Sequence, residues 1–166
     1  MISLSTFTTI HVVISLVGIA SGVVVLWGLL ASRPLEGWTA VFLGTTLATS
    51  LTGFGFPFHE FLPSHAVGIL SLAVLAVAIV ARYVRHLARG WRSAYVITAV
   101  MALYFNVFVL VVQLFLKVPA LHALAPAGSE PPFLIVQGLV LIVFVWLGYL
   151  ATVRFVRSAS RRATAA

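Results

Sequence analysis

Five apolar stretches, each separated from the next by a polar connection, set the rhythm of this chain: about 8–30, 39–56, 64–84, 94–116 and 133–153. An α-helix needs about 20 apolar residues to cross the hydrocarbon core of a bilayer. The expected fold class is therefore an all-α integral membrane protein, with five transmembrane helices in one bundle. Residues 1–166 form a single membrane domain in this reading, with short loops and no room for an extramembrane domain. No internal repeat is evident, and all 7 prolines lie at or outside the ends of the stretches, so none breaks a span.

Polar positions inside the stretches are patterned too. His11, Ser15, Gly18 and Gly22 recur at helical spacing on one face of the first, and Gly18 and Gly22 form the small-xxx-small pair that lets helices approach closely in lipid. The second stretch is rich in hydroxyls: Thr45, Thr49 and Thr52 share one face, and Thr46, Ser50 and Gly53 share its neighbour. Span hydroxyls can bond to their own backbone, so this stripe does not by itself mean a pore. Thr52 to Gly55 has a superficial likeness to a potassium filter, but it lacks a residue and the surrounding pore helix. The fourth stretch carries Tyr95, Ala99, Ala102, Asn106 and Gln113 along one side, and the fifth places Gln137 one turn from its start.

Composition supports the membrane class and sets its sidedness. Hydrophobic residues make up 62%, charged residues 8% and mean hydropathy is +1.17, too little charge for a water-facing surface. The net charge of +7 is spread unevenly. Arg33, the group Arg82, Arg85, Arg89 and Arg92, and the group Arg154, Arg157, Arg161 and Arg162 fall in alternate connections; Lys117 falls in the others. Basic connections stay in the cytoplasm, so the expected topology has the N-terminus outside and the C-terminus cytoplasmic. The expected location is the cell inner membrane, multi-pass. Trp27, Trp38, Trp91 and Trp146 lie toward the same basic side, where indoles anchor at headgroups. No charge precedes Arg33, so the first stretch reads as a mature helix rather than a secretory signal. Arg157, Arg161 and Arg162 are expected to meet anionic lipid headgroups. A nucleic-acid partner is not expected, because no basic groove with interleaved aromatics accompanies the charge.

Candidate chemistry concentrates on the other side. The stretch from Gly53 to His65, GFGFPFHEFLPSH, contains His59, Glu60 and His65, and the topology brings His11 and His122 to the same side. Imidazoles with a carboxylate and no thiolate suit copper, zinc or non-haem iron, and two axial imidazoles suit a b-type haem. Cysteine is absent, which excludes thiolate catalysis, disulfide exchange and iron–sulfur clusters. His59-Glu60 to His65 is not a metalloprotease helix, since the second histidine comes six residues after the first and Pro63 intervenes. Without aspartate a Ser-His-Asp triad cannot form, and no nucleophile elbow precedes a serine.

Each residue also has a plainer reading. His59 and His122 suit the bilayer surface as interfacial side chains; His11 and Asn106 suit hydrogen bonds between helices; His65 follows Ser64, a natural N-cap; His86 among arginines suits solvated surface.

The leading expectation is a small inner-membrane protein that binds a transition metal (copper, zinc or iron) or a b-type haem as a redox or metal-handling accessory. Its metal site would be His11, His59, His65, His122 and Glu60, above a polar pocket of Asn106, Gln113, Gln137 and Thr52. A transporter or channel subunit gated by the outer histidines is the first alternative. A structural accessory subunit, in a homo-oligomer or a larger membrane complex, is the second.

Overall fold

The structure, a computed structural model, describes residues 3–56 and 63–164, with backbone alone at 63, 64 and 159–164. It is helical, with no strand among the described residues. The elements are α1 (Leu4–Leu30), α2 (Glu36–Gly53), α3 (Pro63–Ile79) closed by a π-helical turn (Val80–Val84), α4 (Trp91–Lys117), the short α5 (Pro119–His122) and α6 (Pro131–Thr164). Among the described residues, four segments are long and apolar enough to cross a membrane: Leu4–Leu30, His65–Val84, Trp91–Lys117 and Pro131–Ser158. The 18-residue α2, with its hydroxyls and Glu36, is the exception.

Several helix ends differ from expectation. α1 starts at Leu4 rather than about Thr8, because the Ser3 side chain accepts the Thr6 N–H at 3.2 Å and caps the first turn. α3 starts at Pro63, so Ser64 sits inside the first turn and is not its N-cap. A proline needs no N–H partner at that position. α6 continues about ten residues past the apolar stretch, because the arginines, alanines and serines that leave the apolar pattern do not break a helix. The long connection before α6, expected to be irregular, contains the turn of α5.

α1 and α2 form an antiparallel hairpin in constant register. Gly28 faces Leu35, Gly22 faces Phe42, Gly18 faces Thr45 and Thr46, His11 faces Thr52, and Phe7 meets Gly55. The glycines of α1 are where the two backbones close: a Cβ on Gly22 would lie 2.6 Å from Leu103 Cδ1 and 2.8 Å from Phe42 Cε2. α4 runs antiparallel to α6, shown by Arg92 against Phe155, Val100 against Gly148, Tyr104 against Phe144 and Phe115 against Phe133. Ser50 Oγ and Ser71 Oγ, 3.0 Å apart, tie α2 to α3.

This up-and-down order sorts the chain into two ends. One collects the start of α1, the turn after α2, the start of α3 and the connection around α5; the other collects the α1–α2 turn, the α3–α4 loop and the far half of α6. The main core lies in the second half, built from Phe42, Leu75, Tyr95, Val96, Leu103 and Phe155, each at most 2% exposed. Toward the histidine end a smaller apolar cluster of Val111, Phe115 and Ala125 joins α4 to α6.

The connection before α6 closes on Glu130, whose carboxylate accepts the N–H groups of Ala127 at 2.8 Å and Ser129 at 2.9 Å. Gly128, at φ +68°, provides the left-handed residue of this turn. These N–H bonds, that of Ala127 first, hold the Glu130 carboxyl below its ordinary value of 4.5. A depressed folded value means that the ionised form stabilises the turn, fully above about pH 4.5 and progressively less as pH falls through the folded value. Protection of the Ala127 and Ser129 amides from hydrogen exchange, relative to their intrinsic rates, is expected to fall on acidification, and to be low at neutral pH in Glu130→Gln.

Candidate functional site

His11 projects from α1 into the mouth of the hairpin, half-buried, with Nδ1 2.8 Å from Thr52 Oγ1. The Thr52 hydroxyl donates to the Ala48 carbonyl at 2.7 Å. Its single hydrogen is thereby committed, so Thr52 accepts from His11 Nδ1–H, and Nε2 carries the lone pair. Phe56 packs edge-on against the imidazole at 5.1 Å, and Phe7 against Phe56 at 5.0 Å. Gly53 opens the space beside the ring: a Cβ there would lie 4.0 Å from His11 Cε1.

His65, in the first turn of α3, is buried and stacks on Phe54 at 5.9 Å and 19°. Phe54 and Phe56 belong to the same turn after α2, so one short segment holds both imidazoles. His122 is exposed on α5. His59 and Glu60 lie outside the described residues. Among the described residues, no three histidines or acids come together in a group able to hold a metal ion.

The four pocket residues do not share one cavity. Thr52 meets His11; Asn106 Nδ2 donates to Thr46 Oγ1 at 3.0 Å; Gln137 Nε2 donates to the Phe108 carbonyl at 3.1 Å between α4 and α6. Gln113 lies on the exposed side of α4, because Val111 and Phe115 take the inward positions at that level. Thr52, Asn106 and Gln137 each pair at their own depth, which is how a low-dielectric interior satisfies polar groups. Two buried atoms are left without a hydrogen-bond partner among the described residues, Thr49 Oγ1 on α2 and Gln137 Oε1 on α6. The hydroxyl stripe of α2 is divided by Phe42, which fills the space between Thr46 and Thr39 against Gly22 and Leu103. Thr39 in turn contacts the Tyr95 hydroxyl at 3.2 Å.

The opposite end holds a feature that the sequence did not signal. The Arg85 N–H bonds the Val80 carbonyl and the Leu87 N–H bonds the Ala81 carbonyl, giving α3 a π-helical end. Ser32, His86, Leu87 and Arg89 all have φ between +48° and +58°. Each side-chain-bearing residue in that region costs about 1 kcal/mol or more. Ser32, His86 and Leu87 line a cavity of about 570 Å³ together with Glu36, Arg82 and Arg92. Nothing in the segment RHLAR marks left-handed backbone, since neither glycine nor asparagine stands there. Of the three arginines expected at headgroups, Arg157 is exposed on α6 near this end; Arg161 and Arg162 continue the same helix, and their side chains lie outside the description.

Fold and site together define a small all-helical chain of membrane type, with a histidine-bearing end and an arginine-bearing end. No family model, curated protein or solved structure matches it.

Proposed function

We propose that this is a five-pass protein of the cell inner membrane, N-terminus outside and arginine end cytoplasmic, whose histidine end binds a transition-metal ion. The fifth crossing is α2. It runs in register with α1 from the Gly28–Leu35 contact to the Phe7–Gly55 contact, so it traverses the depth that α1 traverses. With only α1, α3, α4 and α6 crossing, the arginines of the α3–α4 loop and of α6 would still share a face, but Arg33 after α1 would fall on the opposite one, against the retention of basic groups in the cytoplasm.

The observation that carries the metal reading is the Thr52 hydroxyl that accepts from His11 Nδ1–H. A ligand imidazole is characteristically held by a hydrogen bond at one ring nitrogen, which fixes its tautomer and presents the other to the metal. His65, anchored by the neighbouring aromatic of the same turn, is the second proposed ligand, and His59, Glu60 or His122 completes the shell. The donor set suits copper, zinc or iron. Iron bound within a b-type haem is the variant that a visible spectrum of the purified protein recognises.

Elemental analysis and Cu(II), Zn(II) and Fe(II) titration of the detergent-purified chain test this. One ion per chain is expected, with occupancy reduced by His11→Ala and by His65→Ala and abolished in the double variant. Full occupancy in the double variant would overturn the proposal.

A further inference from the structure

We propose that the cavity at the arginine end is a binding site for a phosphoryl group, carried by an anionic lipid headgroup or by a soluble phosphate compound. Two guanidinium groups reach its wall from different elements, Arg82 from the π-helical turn and Arg92 from the first turns of α4. Both are held by aromatic faces: Arg82 lies 5.7 Å from the Tyr95 ring centre and Arg92 5.1 Å from that of Phe155. Stacking of this kind fixes the plane of a guanidinium. The Arg82 side chain is 10% exposed, so its charge is directed by the fold rather than spread over solvent.

Among the described residues, the cavity's one acid is at its rim. Glu36, with its side chain 84% exposed, touches Arg82 Nη2 at 3.4 Å, a long contact to one of five N–H donors. An incoming phosphoryl oxygen would replace it with the shorter, paired geometry that guanidinium favours. The ring of His86 stands on the same wall, while the hydroxyls of Ser32 and Ser158 there donate to the carbonyls of Arg154 at 3.1 Å and Phe155 at 2.9 Å. Left-handed backbone at Ser32, His86 and Leu87 surrounds this one cavity, and the π-turn that delivers Arg82 adjoins it. Backbone strain and π-turns gather at binding sites, where a ligand gives the arrangement its use. The site is distinct from the exposed Arg157 farther along α6, which is not among the residues that line it.

The test uses the full chain with two probes: phosphatidylglycerol, offered in phosphatidylcholine nanodiscs and counted by native mass spectrometry, and inorganic pyrophosphate, followed by calorimetry. Saturable binding of at least one probe is expected, weakened about tenfold or more by Arg82→Gln or Arg92→Gln, since each removes a charge-assisted hydrogen bond. Ser158→Glu places a carboxylate on the wall without touching either arginine, and is expected to weaken binding similarly while leaving the thermal unfolding midpoint unchanged. Arg85→Gln removes the same charge outside this cavity, where Arg85 lies over Trp91, and is expected to leave binding unaltered. Retention of the lipid alone identifies a headgroup site, and pyrophosphate competing with it identifies a soluble ligand. Absence of saturable binding by either probe, equal loss in Arg85→Gln, or undiminished binding in Ser158→Glu would overturn the proposal.

Discussion

Gly22→Val is expected to destabilise the bundle by about 3 kcal/mol, toward the upper end of what overpacking costs. The first carbon of the new side chain would meet Leu103 Cδ1 at 2.6 Å and the Phe42 ring at 2.8 and 2.9 Å. Both neighbours are side chains that elsewhere would turn aside. Here Phe42 is 0% and Leu103 1% exposed, so neither has space to move into. Relief requires α1 and α2 to separate, and that stretches the contacts on either side, Gly28 with Leu35 and Gly18 with Thr45. Gly44→Val, on the open side of α2 with nothing within 4 Å, is expected to be near neutral. Unfolding midpoints in a detergent titration compare the two. Equal midpoints would mean that the helices do not meet at Gly22.

Thr52→Val is expected to release the His11 ring and to reduce metal affinity about 10–100-fold, the usual effect of removing the partner that orients a ligand imidazole. Valine keeps the shape of threonine and removes the oxygen that accepts from Nδ1–H. The bond from Thr52 to the Ala48 carbonyl disappears with it, but α2 retains its backbone ladder there. Nitrogen-15 spectra of the imidazole in metal-free protein read the tautomer directly: predominantly Nδ1–H in the native chain, and a mixture in the variant. The tautomer reports the geometry whether or not a metal binds, so the spectrum and the affinity test different links of the argument.

The helices were legible in the sequence because the signal is local. A run of apolar residues must be satisfied within its own segment, and a helix satisfies its backbone from within. α6 outran its apolar stretch because hydropathy marks where lipid would end, while the helix ends only where a residue breaks it. The face of α4 was legible through Ala102 and Asn106, which turn inward, but not as far as Gln113. Near that level α4 packs on α6 and the connection around α5 through Val111 and Phe115, so a different side of it is covered.

The site was legible in part. His11 and His65 stood out as imidazoles on helices, but the pairing of His11 with Thr52 depends on the register across the α1–α2 turn, which no local pattern encodes. The cavity at the other end was hidden for a different reason. Its left-handed residues are a serine, a histidine and a leucine, held there by surrounding contacts rather than by their own preference.

The length of α6 has a mechanical consequence. Its 34 residues rise about 51 Å, while a hydrocarbon core is about 30 Å thick. Unless the helix tilts steeply, its last turns stand clear of the lipid as a stiff post, and cargo fused at the chain's end would be carried at a set height above the bilayer rather than on a slack tether.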